Sequence, residues 1–337
     1  MRATYSSLAD PALQAVVVEQ TPLRYAAGPD VATDRPAHVR AGSSLARVPG
    51  GIAVIQDDAN FVAVVAPDGR VTAITLPADC MGLRQFDDHR GNKRRKLDLE
   101  ACVSVTTANE TLLMAFGSGS NDAREQIALV EWRGSSAPAV SAVHAPRLYA
   151  ALRSAHEFAG SRLNIEGATQ LGDRLRLFNR GNSAARGELL PVNATCDLDL
   201  RALLSHLRSP DISEAPTPGS IVQYDLGKLG GVALGFTDAT SWRGALLYSA
   251  SAEDTLDAVD DGPVQGSAIG ILETGGPCRW AALTLPDGNS YTAKVEGLLA
   301  LGDTGDRLAV IVDADDPDVP SLLCTVELRG PWVHQRR

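Results

Sequence analysis

Cysteine is sparse in this 337-residue chain: Cys80, Cys102, Cys196, Cys278 and Cys324 each stand alone. With no Cys-x-x-Cys pair, a zinc knuckle and a redox dithiol of that spacing are excluded. Cys102 and Cys324 sit in apolar, strand-like runs and read as small buried hydrophobes. Positive charge is also in the minority, with 31 Lys and Arg against 41 Asp and Glu and a formal net charge of −10. That balance argues against a nucleic-acid surface, which needs a basic footprint. No apolar segment approaches the ~20 residues that span a bilayer. The first 20 residues lack the basic and apolar regions of an export signal. The expectation is a soluble, cytoplasmic protein that binds neither nucleic acid nor membrane. A Walker A loop, a dinucleotide-binding glycine pattern and a Gly-x-Ser-x-Gly elbow are all missing, and the histidines are scattered.

What the chain does have is short β-branched runs separated by turn residues. Its 31 Gly and 19 Pro are spread along the whole length. Runs at 43–48, 51–56, 61–66 and 70–76 are divided by Pro49-Gly50, by Asp57-Asp58-Ala59-Asn60 and by Pro67-Asp68-Gly69. They predict a four-stranded meander. Similar units follow, so the blades are expected at about 43–77, 97–145, 163–225, 231–286 and 293–330. Glu188 to Asn193 is expected to continue the third unit as a strand. Helical stretches are expected near Arg147 to Phe158 and from Leu198 to Leu207. The last unit is one strand short, and the β-branched run at 13–19 can supply it. The fold expected is therefore all-β, a five-bladed β-propeller forming one domain over 1–337, with the N-terminal strand closing the last blade. Six blades is the alternative. Such closure leaves no unpaired ring edge.

One figure recurs at the start of each unit: an apolar strand interrupted by a carboxylate. It reads Leu97-Asp98-Leu99-Glu100-Ala101, Leu163-Asn164-Ile165-Glu166-Gly167 and Ala293-Lys294-Val295-Glu296-Gly297. Weaker versions are Gly235-Phe236-Thr237-Asp238-Ala239 and Gly42-Ser43-Ser44-Leu45-Ala46. In a propeller the first strand of each blade lines the central channel. Glu100, Glu166, Asp238 and Glu296 would then converge at one height, with Ser44 or Ser43 as the fifth member. Converging carboxylates repel unless they are protonated or bridged by a cation. An all-oxygen set suits a hard cation, Ca²⁺ before Mg²⁺. Read singly, each Glu-Gly is a strand-end turn; the repetition is what favours a ring.

The loops between second and third strands would open on the same face. They contribute Arg124 after Gly117-Ser118-Gly119-Ser120, Arg180 in Asn179-Arg180-Gly181-Asn182, and the acidic residues Glu253, Asp254, Asp313 and Asp315. The two arginines could grip an anion bidentately, and the acidic set could hold a second cation. Asp57, Asp58 and Asp316 read as turn formers, and Lys93-Arg94-Arg95-Lys96 as a solvated loop.

The Glu-Gly and Glu-Ala starts of these strands resemble those of phytase-like and esterase-like propellers. The order Ser, Glu, Glu, variable, Glu is similar to that of calcium-activated nucleotidases of the apyrase family. The resemblance implies a five-bladed fold, a channel Ca²⁺ held by Ser44, Glu100, Glu166 and Glu296, and hydrolysis of nucleotides. Asp238 departs from that pattern, and the Trp- and Lys-rich apyrase loops are absent. Two readings stay open. One is a metal-assisted hydrolase of phosphorylated or anionic small molecules, with Glu166, Arg180 and Arg124 as its catalytic residues. The other is a non-catalytic propeller that binds a ligand or protein on its top face around a structural ion.

Overall fold

The computed structural model describes residues 4–107, 110–134, 136–211, 213–254, 264–273, 278–302 and 305–333. Two strands open the chain, β1 (Thr4–Ala9) and β2 (Gln14–Pro22). Four-stranded antiparallel meanders follow. The first is β3 (Gly42–Val48), β4 (Gly51–Gln56), β5 (Phe61–Val65) and β6 (Val71–Thr75). The second is β7 (Leu99–Thr106), β8 (Glu110–Gly117), β9 (Gln126–Arg133) and β10 (Ala139–His144). The third is β11 (Ile165–Leu171), β12 (Arg174–Asn179), β13 (Asn193–Asp199) and β14 (Gly219–Asp225). After the short β15 (Lys228–Leu229) come β16 (Val232–Trp242), β17 (Ala245–Glu253), β18 (Val264–Leu272) and β19 (Cys278–Thr284). The chain ends on β20 (Lys294–Ala300), β21 (Arg307–Asp313) and β22 (Leu322–Arg329).

The N-terminal run completes this last unit. β2 pairs antiparallel with β22, from Gln14 opposite Arg329 to Pro22 opposite Leu322. β1 lies parallel to both β14 and β19, so it stitches two outer edges that would otherwise be open. The first strands of the meanders pack side by side, β3 on β7, β7 on β11, β11 on β16, β16 on β20, and β20 back on β3. The result is an all-β, propeller-like ring around an axis. Apolar side chains fill the spaces between neighbouring sheets, for example Phe116, Tyr149, Ile165 and Leu177 between the second and third. Burial of this kind is the main favourable term in folding, at about 25 cal/mol per Å² of apolar surface.

Local chemistry explains the elements. In Pro67-Asp68-Gly69 the Asp68 carboxylate accepts the Arg70 N–H at 3.0 Å and Gly69 takes φ +82°, closing a tight hairpin. The expected helical stretches are α1 (Pro146–Ser154), α2 (His156–Ala159) and α3 (Leu200–Arg208). Asp199 caps α3 by accepting the Ala202 N–H at 2.8 Å. One expectation moves. The third strand of the third meander is β13, not the run from Glu188 to Asn193. Asp197 hides it, because a buried carboxylate looks wrong for a strand. Arg176 on the adjacent strand makes it tolerable, gripping both carboxylate oxygens at 2.6 and 2.9 Å.

Candidate functional site

Each first strand carries a β-bulge near its start. Pairing jumps between Gly42 and Ser44, Leu99 and Ala101, Ile165 and Gly167, Phe236 and Asp238, and Val295 and Gly297. The residues left without a partner are Ser43, Glu100, Glu166, Thr237 and Glu296. A bulge re-aims the side chain of its extra residue. These five are therefore the equivalent ring positions. In three units the bulged residue is the glutamate singled out in the sequence, and in the first it is Ser43, one of the two serines singled out there; in the fourth it is Thr237, one residue before Asp238.

Ser44 and Asp238 belong to a dry layer beneath. The Ser44 hydroxyl donates to Asp238 Oδ2 at 2.9 Å and accepts the Cys102 N–H at 3.1 Å. Asp238 also accepts the Leu298 N–H at 2.9 Å and the Ala239 N–H at 2.8 Å. These contacts tie together β3, β7, β16 and β20. Burial raises the Asp238 carboxyl well above its usual range, against the pull of those donors. Backbones come so close here that a Cβ on Gly297 would lie 2.7 Å from Ser44 Cα, and one on Gly167 3.1 Å from Asp238 Cα. The glycine after Glu166 and Glu296 is thus an axial packing requirement, not a turn.

Above this layer opens a cavity of about 260 Å³. Glu100, Glu166, Glu296 and Ser43 line its inner part, while Ser44 and Asp238 are not in its wall. The loops between second and third strands form the mouth, as expected, through Asp57, Arg124, Arg180, Glu253 and Asp313. Asp254 is exposed and outside the lining. Twelve Asp and Glu line the cavity against five Lys and Arg. It is strongly acidic.

A second tier sits two residues before the ring, at Ala41, Asp98, Asn164, Gly235 and Lys294. Side chains two apart on a strand share a face, so Asp98 stands with Glu100, Asn164 with Glu166 and Lys294 with Glu296. Asn164 donates to Glu166 Oε1 at 2.6 Å, and Lys294 Nζ lies 2.9 Å from Glu296 Oε1. Asp98, at 1% exposure and in a left-handed conformation (φ +58°), meets Lys96 at 3.0 Å and Arg124 at 2.8 Å. Ser118 donates to it as well. Burial opposes its charge, yet Lys96 and Arg124 hold its carboxyl below the usual range.

Both arginines assigned to anion binding therefore reach carboxylates of the cavity wall. Arg124 pairs with Asp98; Arg180 pairs with Glu253 at 2.6 Å and with Glu166 at 3.5 Å. The residues read as ordinary turn or loop formers also change role. Asp57 lines the cavity and pairs with the buried Lys96, and Asp58 pairs with the buried Arg40 at 2.9 Å. Lys96 is not solvated; its burial opposes its charge, but Asp57, Asp98 and Glu100 raise its pKa overall.

Asp57, Asp98 and Glu100 each offer an oxygen within 4.8 Å of the others. Among the described residues, Glu100 has no hydrogen bond and no ion pair, unlike Glu166 and Glu296. Burial first, then Asp57, Glu166 and Asp98, push its carboxyl well above the usual range. Burial likewise lifts Asp57 to about 7 and Glu166 to about 8, in spite of Lys96 and Arg180 respectively. Asp98, Asn164, Lys294 and Asp57 escape a reading of the sequence that follows the glutamates alone. The signal for three of them was the polar residue two positions before each Glu.

Fold and site together define an all-β, propeller-like protein with an acidic axial cavity open at one face. The chain belongs to a family of unknown function, DUF6929, which matches residues 38–328. No curated protein matches it. Among solved structures it is similar to a Myxococcus xanthus glutaminyl cyclase at 12% identity and TM-score 0.37, covering 97% of this chain and 99% of that one. It is also similar to the Podospora anserina α-L-arabinofuranosidase PaAbf62A at 12% identity and TM-score 0.42, with 96% and 99% covered. The WD40 domain of Neurospora crassa Pan2 is similar at 9% identity and TM-score 0.38, with 98% and 99% covered. At these scores the likeness carries no argument about activity. Among the described residues no helix is long and apolar enough to cross a membrane.

Proposed function

We propose that this chain is a five-bladed β-propeller whose cavity holds a hard divalent cation at Asp57, Asp98 and Glu100, Ca²⁺ before Mg²⁺. In this reading the ion supports hydrolysis of a small phosphorylated or otherwise anionic molecule. The observation that carries it is Glu100, a carboxylate of the cavity wall beside Asp57 and Asp98 that has no hydrogen bond and no ion pair among the described residues. Three clustered carboxyl oxygens and no imidazole or thiolate form a donor set that fits a hard cation. Lys96 and Arg124 offset part of the charge of Asp57 and Asp98, and neither lies within ion-pair distance of Glu100.

Electrostatics make the order of events strict. With twelve carboxylates in its wall the cavity repels an anion. A bound divalent ion would reverse that locally, act as a Lewis acid and lower the pKa of a coordinated water. Glu166 supports the acid–base part: with a pKa of about 8 it exchanges a proton near neutral pH. Asn164 fixes one of its oxygens, which leaves the other to act. The resemblance to phytase-like and apyrase propellers also implies a channel cation, but on Ser44, Glu100, Glu166 and Glu296, of which the site proposed here keeps Glu100.

The second reading, a binding propeller without catalysis, is favoured by one observation: Arg124 and Arg180 are spent on wall carboxylates. Equilibrium dialysis with Ca²⁺ and Mg²⁺ tests the cation site, expecting saturable binding that Glu100→Gln weakens at least tenfold. A phosphatase and esterase panel with and without Ca²⁺ then separates the readings. Turnover that requires the ion and is lost in Glu166→Gln supports the hydrolase; cation binding without turnover supports the binding module.

A further inference from the structure

The cavity has two sectors. One contains Asp57, Asp98 and Glu100. The other contains Glu166, Glu253, Glu296 and Asp315, each of which touches a cationic side chain, and Asp313, which lies beside Asp315 and Glu296 within the field of Lys294. Arg180 lies 2.6 Å from Glu253 and 3.5 Å from Glu166; Lys294 lies 2.9 Å from Glu296 and 3.7 Å from both Glu253 and Asp315. Glu253 joins the two into one network.

Both cations are built in. Arg180 is 4% exposed and Lys294 7%. Lys294 occupies its unit's second-tier position directly. In the neighbouring unit that position is Gly235, and the Arg180 stem fills the space: a Cβ on Gly235 would lie 2.9 Å from Arg180 Cγ and 3.1 Å from Nε. A glycine in a strand interior costs stability and marks a close approach. Here what approaches is a guanidinium from the next unit.

We infer that Arg180 and Lys294 are specificity-determining residues, internal counter-cations that limit the cavity to one divalent ion by standing where a second would bind. This rests on the proposed cation site at Asp57, Asp98 and Glu100, and it assigns the opposite sector a different task. Two charges held on buried stems among four carboxylates do the electrostatic work of a second metal without its exchange. Gly235 belongs to the same device, because only a residue without a side chain admits Arg180.

The test is the stoichiometry of Ca²⁺ binding to the full chain, by equilibrium dialysis and by Tb³⁺ titration. Wild type is expected to bind one ion and R180M/K294M two. R180K/K294R, which keeps both charges, is expected to bind one. G235A, which displaces Arg180, is expected to gain a second, weaker site, and that gain is expected to vanish when tested in the R180M background. One ion in both wild type and R180M/K294M overturns this inference and leaves the first site standing. No ion in wild type but one in R180M/K294M overturns the first site and upholds the counter-cation role. No ion in either overturns both. If R180M/K294M does not fold by circular dichroism, K294M alone decides: a second ion bound at least tenfold more weakly than the first supports the inference, and a single ion overturns it.

Discussion

Two layers of the axis lie one residue apart on the same strands and behave as opposites. In the lower layer Asp238 is buried, accepts from Ser44, Leu298 and Ala239, and has no access to the cavity. In the upper layer Glu100 faces the cavity and accepts no hydrogen bond among the described residues. Both are carboxylates in corresponding segments. The bulge decides which way each points, and the donors within reach decide whether it is a structural tie or a site. A satisfied buried carboxylate stabilises the fold; an unsatisfied one is costly until a proton or cation arrives.

The sharpest way to break the comparison is to remove the lower tie. Asp238→Ala leaves the Ser44 hydroxyl and two backbone N–H groups without their acceptor. It is expected to cost about 3 kcal/mol in denaturant unfolding, from the penalty of unmade buried hydrogen bonds. A loss below about 0.5 kcal/mol would erase the distinction between the layers. Gly297→Ala comes next. Its Cβ would press on Ser44 Cα at 2.7 Å, and overpacking of this kind costs about 2 kcal/mol. Gly172→Ala, with open space around its Cβ, is the control for left-handed strain alone and is expected to cost about 1 kcal/mol.

Glu100→Gln should invert the pattern. Stability is expected to hold, because the amide keeps the shape of a half-buried carboxyl whose surroundings already favour its neutral form, while the Kd for Ca²⁺ rises at least tenfold, about 1.4 kcal/mol. Loss of stability with unchanged Ca²⁺ affinity would place Glu100 among the structural ties.

The smallest effect is a pH slope. Folding raises Glu166 from 4.5 to about 8 and Asp57 from 3.8 to about 7. The folded chain thus holds protons that the unfolded chain releases. The stability these groups contribute is full below their ordinary values and is lost as pH rises through the folded ones. Without divalent ions the melting temperature is expected to fall from about pH 5 to about pH 8, the window between the ordinary and the folded values. Saturating Ca²⁺ should flatten the slope. A slope of opposite sign would show that these carboxyls are ionised in the folded state.

Much of this was legible beforehand. Hairpin turns such as Pro67-Asp68-Gly69, the helical stretches and the closing run at 13–19 follow from turn chemistry and β-branched periodicity, which are local. The glutamates could be found because the bulge leaves a repeated trace. Ser43 and Thr237 were not distinguishable from Ser44 and Asp238, since pairing register is a relation between strands and a one-residue slip reverses every side chain. Asp57 and Asp58 looked like turn formers because turns accept Asp for local reasons; only the packed ring brings Lys96 and Arg40 against them.

By itself, then, the amino-acid order determined a chain of short antiparallel strands with a carboxylate recurring at the head of several units, because strand and turn preferences act over a few residues. Tertiary structure alone decided which carboxylates meet, which are already paired by Arg124, Arg180, Lys96 and Lys294, and that Glu100 has no hydrogen bond or ion pair among the described residues. Those outcomes depend on distances between residues far apart in sequence, and Coulomb energy in a buried cavity depends on those distances more than on residue type.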